Sequence, residues 1–154
     1  GMEICQYTYF QQIGGIECNP VSVEITYGLE RLAMFIQKVN NVFDIIWNIN
    51  KKEKKIVKYK DIYLESEKQF SKYNFELANT DYLFKCFEYV ENECKELLNN
   101  NLPLPAYENC IKASHYFNIL DARGVIGVAQ RQSYILKIRS LVKTCCEEYI
   151  KQEL

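Results

Sequence analysis

The chain has 154 residues, a formal net charge of -1 at pH 7, 48% hydrophobic residues and 25% charged residues. This composition argues against a disordered chain, and the near-zero charge argues against an overall basic field for nucleic acid. No apolar run approaches the roughly 18 residues that a membrane span needs, and no basic-then-apolar leader opens the chain. We therefore expect a cytoplasmic protein without a membrane partner.

The chain has seven cysteines, an odd number, and no two of them form a CxxC motif. This pattern predicts reduced side chains in the core of a cytosolic protein. A single histidine, His115, and no thiolates at ligand spacing leave no plausible zinc set, so no protein-bound metal is expected.

The first part of the chain predicts antiparallel β-strands. Residues 2–12 alternate in polarity, and a second extended run covers residues 21–27. Gly14-Gly15 and Asn19-Pro20 are turn signals between the two runs. At Gly28 the second run changes into the amphipathic pattern of a helix.

This strand-to-helix junction is the candidate binding site. Glu24, Thr26 and Gly28 share one face of a strand because side chains alternate. Gly28 would let a ligand approach the backbone, and Arg31 could present a planar cation to a phosphate or an adenine ring. The residues alone leave an alternative, in which Glu24 is an exposed acid paired with Lys38 or another cation.

The rest of the chain predicts helices after a basic segment. Residues 48–60 contain six lysines and one glutamate and are predicted to form a connecting loop, whose lysines either contact nucleic-acid phosphates or are solvated. Apolar residues then recur at three- and four-residue spacing, and Pro103 and Pro105 open a further helix. Asn79 and Thr80 are good helix caps. A helical bundle is predicted over 61–154.

The junction sequence GLERLAM, residues 28–34, resembles motif 3 of the class II aminoacyl-tRNA synthetases. The flanks extend the resemblance to the α subunit of bacterial tetrameric glycyl-tRNA synthetase over essentially the whole chain. They read GMEICQYTYFQQIGG (1–15), ECNPV (17–21), YNFE (73–76), LPLPAY (102–107), LDAR (120–123) and RQ (131–132).

The resemblance implies an α+β chain in three parts. Residues 1–47 would be the last antiparallel strands and the motif 3 helix of the catalytic domain, 48–60 a basic connecting loop and 61–154 a helical bundle. Nothing resembling motifs 1 and 2 precedes motif 3, so we expect a carboxy-terminal fragment. Because motif 2 of the family grips the α-phosphate, this fragment alone is expected to be inactive.

The same resemblance implies a glycine–tRNA ligase that activates glycine with ATP and Mg²⁺ as substrate and charges tRNA(Gly). Its partners would be the β subunit and, in the complete enzyme, a second α subunit. Arg31 would be the catalytic residue, and Arg31, Glu30 and Gly28 would bind ATP.

A comparison with the alanyl-tRNA synthetases, whose motif 3 reads DTGMGLER, implies the amino-acid-binding residues. The aspartate that holds the substrate ammonium falls on Glu24, and a strand asparagine falls on Gln6, with Thr8 beside it. The middle glycine of that motif falls on Thr26, which would fill the space of an alanine methyl group. Glycine specificity is therefore expected in preference to alanine.

An alternative function is a non-enzymatic helical interaction module derived from a synthetase. In that case Glu24 and Arg31 would form only an ion pair. Glu3 lies on the face opposite Gln6 by simple alternation and is predicted to be structural.

Overall fold

The computed structural model describes residues 1–50, 52 and 55–153. Its elements are β1 (Cys5–Ile13), β2 (Ile16–Tyr27), α1 (Leu29–Gln37), a 3-10 helix (Val42–Asp44), β3 (Ile46–Asn50), β4 (Lys55–Lys58), α2 (Tyr59–Lys72), a π-helical segment (Tyr73–Leu77), α3 (Thr80–Asn99), α4 (Pro103–Ala122) and α5 (Val128–Glu153). Two small sheets and five α-helices confirm the predicted α+β class.

The chain divides into two compact units. Unit 1 contains Gly1–Phe10 and Pro20–Lys72, and unit 2 contains Gln11–Asn19 and Tyr73–Leu154. Helix α2 therefore belongs to unit 1, whereas the sequence grouped all of 61–154 in one bundle. The assignment of the parts to a catalytic domain and a helical domain stays a prediction.

Strands β1 and β2 form a two-stranded sheet joined by Gly14 and Gly15, which confirms the predicted turn. Both glycines have positive φ, 60° and 82°, a conformation that costs little without a side chain. Asn19-Pro20 was expected to interrupt the strands, but both residues lie within β2. A two-stranded sheet consists of edges only, so a proline can direct its missing N–H away from the partner strand.

Strands β3 and β4 correct the predicted connecting loop at 48–60. They pair antiparallel, with Ile49 opposite Ile56 and Asn50 opposite Lys55. The prediction relied on the lysines and overlooked a short run of β-branched residues, which favours a strand. Of the basic segment, Lys51, Glu53 and Lys54 lie outside the described residues.

Aromatic rings in unit 1 pack together around a buried isoleucine, although Trp47 itself remains 54% exposed. Trp47, Tyr59 and Tyr63 approach one another with centroid distances of 4.5 to 6.0 Å, and Phe43 lies 6.2 Å from Tyr59. Ile45 beside them is 4% exposed, and its carbonyl accepts a hydrogen bond of 2.8 Å from the Tyr59 N–H. This cluster joins the start of α2 to the β3–β4 hairpin.

Unit 2 is a helical bundle with a continuous apolar interior. Helices α3, α4 and α5 bury Leu83, Phe87, Leu120 and three thiols, those of Cys94, Cys110 and Cys145. The Asn79 side chain accepts a hydrogen bond of 3.0 Å from the Tyr82 N–H, which confirms the predicted cap of α3.

The apolar residues at three- and four-residue spacing that follow the basic segment, over 62–77, lie only in part on an α-helix. Helix α2 ends at Lys72, and the chain continues as the π-helical segment. The Arg123 guanidinium donates a hydrogen bond of 2.9 Å to the carbonyl of Phe75, so the end of α4 contacts this segment within unit 2.

All seven cysteines are free thiols, but the prediction that they lie in the core is correct only for Cys94, Cys110 and Cys145, since Cys5 is exposed and the other three are half-buried. Burial raises the pKa of Cys110 to about 11 and that of Cys145 to about 12. Because the thiolate is the reactive form, these buried thiols are chemically inert at neutral pH.

Among the described side chains of the bundle, the carboxylate of Glu91 is buried. Glu91 is 7% exposed and accepts hydrogen bonds from Lys95 at 2.6 Å and from Lys137 at 3.0 Å. Burial raises its pKa, but the two lysines together lower it below the ordinary value. Glu91 is therefore charged at neutral pH and ties α3 to α5.

Candidate functional site

All seven residues of the predicted site lie in unit 1. Gln6 and Thr8 are on β1, Glu24 and Thr26 are near the end of β2, and Gly28, Glu30 and Arg31 are at the start of α1. Thr8 and Gly28 are half-buried, and the other five are exposed to solvent.

The junction at Gly28 is fixed by backbone hydrogen bonds on both sides. The Gly28 N–H donates to the Ile4 carbonyl at 3.0 Å, and the Gly28 carbonyl accepts from the Leu32 N–H at 2.9 Å. A Cβ atom built on Gly28 would lie 3.3 Å from Cδ of Arg31. Glycine at this position thus leaves room for the aliphatic stem of Arg31.

Arg31 is held against the residues that precede β1. Its Nη1 donates a hydrogen bond of 2.8 Å to the Glu3 carbonyl and lies 3.8 Å from Oε1 of Glu3. Both side chains remain more than half exposed, at 54% and 67%. One edge of the guanidinium is anchored, while much of its surface is open to solvent.

Sequence reasoning missed the contact of Glu3 with Arg31. Simple alternation treated Glu3 as part of a strand, but β1 begins only at Cys5. Outside a strand, alternation says nothing about the direction of a side chain. Glu3 and Arg31 are 28 positions apart in the sequence. No local sequence pattern therefore indicates that they are in contact.

Glu24 and Thr26 contact each other directly. The Thr26 hydroxyl donates a hydrogen bond to Oε1 of Glu24, so the two side chains share one face of β2, as the strand pattern predicts. The ion pair of Glu24 with Arg31, on which the non-enzymatic alternative depended, is not among the ion pairs of the described residues, where Arg31 pairs with Glu3.

Gln6 and Thr8 are two residues apart on β1 and therefore share a face of that strand. On the other face, the rings of Tyr7 and Tyr9 form an edge-to-face pair with centroids 5.1 Å apart. The participation of Gln6 and Thr8 in amino-acid binding stays a prediction.

A protein-family model for the glycyl-tRNA synthetase alpha subunit matches residues 1–154. The chain belongs to this family. The match spans both units and confirms the resemblance that the motif 3 residues and their flanks carry. The glycyl-tRNA synthetase family consists of ligases of translation, and it implies an amino acid, ATP and tRNA as substrates and an assembly of α with β subunits in general.

Within this family member, the charge of Glu30 acts on Tyr59, the first residue of α2. Burial raises the pKa of Tyr59, and the negative charge of Glu30 raises it further. Glu30 is also in the first turn of α1, where a carboxylate interacts favourably with the helix dipole. A contact of Glu30 with ATP stays a prediction.

A separate cavity of about 540 Å³ opens beyond the end of α1, lined by Gln37, Val39, Asn40, Asn41, Asp44, Ile46 and Lys58. None of the seven predicted site residues belongs to this lining. Its polar groups bond to one another: the Gln37 amide bonds to both backbone groups of Ile46, and Lys58 lies 3.1 Å from Asp44. These bonds connect the end of α1 to β3 and the 3-10 helix to β4 at the cavity wall.

Among the described residues, no group of three or more His, Cys, Asp or Glu side chains could hold a metal ion. No described helix combines the length and the apolarity that crossing a membrane requires.

Proposed function

We propose that this chain acts in a glycine–tRNA ligase α subunit and that the β2–α1 junction binds glycine and ATP. The observation that carries the proposal is the family match over residues 1–154, because it includes the motif 3 residues together with all of their flanking sequence. The geometry supports it: the junction holds an acid, a hydroxyl and an anchored guanidinium within one unit.

The proposed reaction has two steps. A carboxylate oxygen of glycine attacks the α-phosphorus of ATP, the bond to the β,γ-phosphates breaks, and glycyl adenylate and pyrophosphate form. A ribose hydroxyl of the terminal adenosine of tRNA(Gly) then attacks the carbonyl carbon, and AMP leaves. Neither step requires a nucleophilic side chain, so positioning and electrostatic stabilisation supply the catalysis.

Each site residue is assigned a role in this proposal. Glu24 receives the glycine ammonium, and Gln6 and Thr8 hydrogen-bond the amino acid. Arg31 neutralises charge on ATP and covers the adenine, which its open guanidinium surface permits. Gly28 admits the nucleotide and the stem of Arg31, and Glu30 supports the first turn of α1.

Thr26 would supply the selectivity against alanine. Its side chain occupies the face of Glu24, where the methyl group of an alanine substrate would sit. A pocket that only lacks contacts with a methyl group discriminates by about 1 to 3 kcal/mol, whereas a steric clash can discriminate more strongly. Thr26→Gly is expected to admit alanine, and unchanged discrimination would exclude Thr26 from this role.

The β subunit, a second α subunit and tRNA(Gly) are the proposed macromolecular partners. Unit 2 supports a protein partner because large apolar side chains are exposed on its helices, among them Tyr89 at 75% and Leu104 at 66%. Capture of purified β subunit by the full α subunit, measured at micromolar concentration, tests this contact, and no binding at that concentration would argue against it.

Glycine-dependent exchange of pyrophosphate into ATP by the complete enzyme tests the proposed site. Arg31→Ala is expected to lower kcat/KM by about 10² to 10³, the range for a lost electrostatic contact in a transition state. Glu24→Gln is expected to raise the KM for glycine. Arg139→Ala on the exposed side of α5 is the matched control and should leave both values unchanged. Exchange at the unmodified rate in Arg31→Ala would contradict the proposal.

A further inference from the structure

The hydrogen bond between Thr26 and Glu24 suggests a second task for Thr26 besides steric exclusion. We infer that the Thr26 hydroxyl positions the Glu24 carboxylate to receive the substrate ammonium, while the Thr26 methyl group separately excludes larger amino acids. This inference rests on the proposed function and deepens it, because it assigns different atoms of one side chain to binding and to selectivity.

The first step concerns the two oxygens of Glu24. Oε1 accepts the Thr26 hydroxyl, so the carboxylate is oriented by a residue two positions away on the same strand face. A substrate ammonium would then be received by Oε2. The hydroxyl is a neutral donor, so it leaves the negative charge of Glu24 available to the ammonium.

The second step concerns the mobility of Glu24. An exposed glutamate samples several rotamers, and fixing it on substrate binding costs conformational entropy. A hydrogen bond that already holds the carboxylate reduces this cost before glycine arrives. The expected consequence is a lower KM for glycine, with little influence on ATP.

The third step concerns the Thr26 side chain itself. Its hydroxyl and its methyl group are both attached to Cβ and occupy different staggered positions. When the hydroxyl points to Glu24, the direction of the methyl group is fixed as well. One hydrogen bond therefore orients both the group that attracts the ammonium and the group that rejects a larger substrate.

Two substitutions separate the two tasks. Thr26→Val keeps the volume and removes the donor, whereas Thr26→Ser keeps the donor and removes the methyl group. Both are measured in the complete enzyme by pyrophosphate exchange, with KM values for glycine and ATP and with alanine as the competing amino acid. Glu24→Gln is the reference for loss of the ammonium partner. Thr144→Val removes a hydroxyl bonded to the Ser140 carbonyl in unit 2 and is the matched control.

Thr26→Val is expected to raise the KM for glycine about tenfold, the size of a lost hydrogen bond to a charged group, and to keep rejecting alanine. Its KM for ATP should not change. Thr26→Ser should keep the KM for glycine within about twofold, since the donor is retained, and should activate alanine more readily. Thr144→Val should change none of these values.

The outcomes separate this inference from the proposed function. An unchanged KM for glycine in Thr26→Val, together with a raised KM in Glu24→Gln, overturns the positioning role and leaves the glycine site intact. An unchanged KM in Glu24→Gln overturns the proposed glycine site itself. A parallel rise in the KM for ATP in Thr26→Val indicates general distortion and also overturns the positioning role. Equal melting temperatures of the variants verify that each one folds.

Discussion

The two units differ in how they bury apolar surface. Among the described residues of unit 1, Ile45 is the buried hydrophobic residue, whereas unit 2 buries side chains along α3, α4 and α5. Large side chains on both strands of the first hairpin remain exposed, including Tyr9 at 61% and Tyr27 at 59%. The proposed chemistry lies entirely in the unit with the smaller core.

This difference separates the residues that stabilise the chain from those that are proposed to act. Unit 2 residues are held by mutual packing, so their positions depend on many neighbours. The site residues of unit 1 are held by individual hydrogen bonds, such as those of Thr26 with Glu24 and of Arg31 with the Glu3 carbonyl. We therefore expect substitutions in unit 2 to change stability and substitutions at the junction to change activity.

The largest expected effect is loss of stability in unit 2. Phe87 is 1% exposed and packs edge-to-face against Tyr134 at 4.6 Å. Phe87→Ala is expected to lower the free energy of unfolding by about 3 to 5 kcal/mol, measured by denaturant titration. Tyr89, two positions along α3, is 75% exposed. Tyr89→Ala should therefore change the free energy of unfolding by less than about 0.5 kcal/mol. Equal losses in both variants would contradict the assigned core.

The next effect concerns the buried charge of unit 2. Glu91→Gln is expected to lower the free energy of unfolding by about 1 to 3 kcal/mol, because it weakens the bonds to Lys95 and Lys137. The loss stays below that of a fully buried ion pair, since both lysines are about half exposed. Glu88→Gln on the exposed side of α3 is the control and should be nearly neutral.

The same residue predicts a dependence of stability on pH. The folded-state pKa of Glu91 lies below its ordinary value of 4.5, so its contribution is complete above that value and is lost as pH falls through the folded-state pKa. Unfolding titrations at neutral pH and near pH 4 measure how much the free energy of unfolding falls on acidification. This decrease should be smaller for Glu91→Gln than for the unmodified chain. An identical loss would exclude Glu91 as a source of the acid sensitivity.

The contrast between the units also explains what the sequence could predict. In unit 2, apolar spacing and the Asn79 cap are local signals, and helices form where these signals indicate them. In unit 1, the β3–β4 hairpin was missed because six lysines in 48–60 suggested a solvated loop. Two of these lysines, Lys55 and Lys58, lie in β4 itself, so lysines do not prevent strand pairing in an exposed two-stranded sheet.

The candidate site was predictable only along the strand and the helix that contain it. Alternation placed Thr26 beside Glu24 correctly, because the two residues are on one strand. The contact of Arg31 with Glu3 joins positions 28 residues apart and depends on how the chain before β1 returns to α1. No periodic pattern contains that information.

A smaller effect is expected at the junction glycine. Gly28→Ala should displace the Arg31 stem, because the new Cβ would lie 3.3 Å from Cδ of Arg31. The backbone at Gly28 has φ of -83°, so alanine causes no backbone strain there. We expect the KM for ATP to rise about fivefold, measured in the complete enzyme, with little loss of stability. Gly127→Ala adds a Cβ with nothing within 4 Å and is the control. An unchanged KM would show that Arg31 accommodates the methyl group.

The smallest effect is expected for Glu3→Gln. The carboxylate lies 3.8 Å from the Arg31 guanidinium, and both side chains are exposed, so the ion pair contributes less than about 1 kcal/mol. The hydrogen bond from Arg31 goes to the Glu3 backbone carbonyl, which the substitution retains. The KM for ATP should therefore rise at most about threefold, and the difference from the unmodified enzyme should shrink as salt concentration increases. Glu17→Gln, an exposed glutamate on β2, is the control. A loss of activity as large as that of Arg31→Ala would contradict the small contribution assigned to the Glu3 carboxylate, because the bond to the Glu3 carbonyl would then be insufficient to hold Arg31.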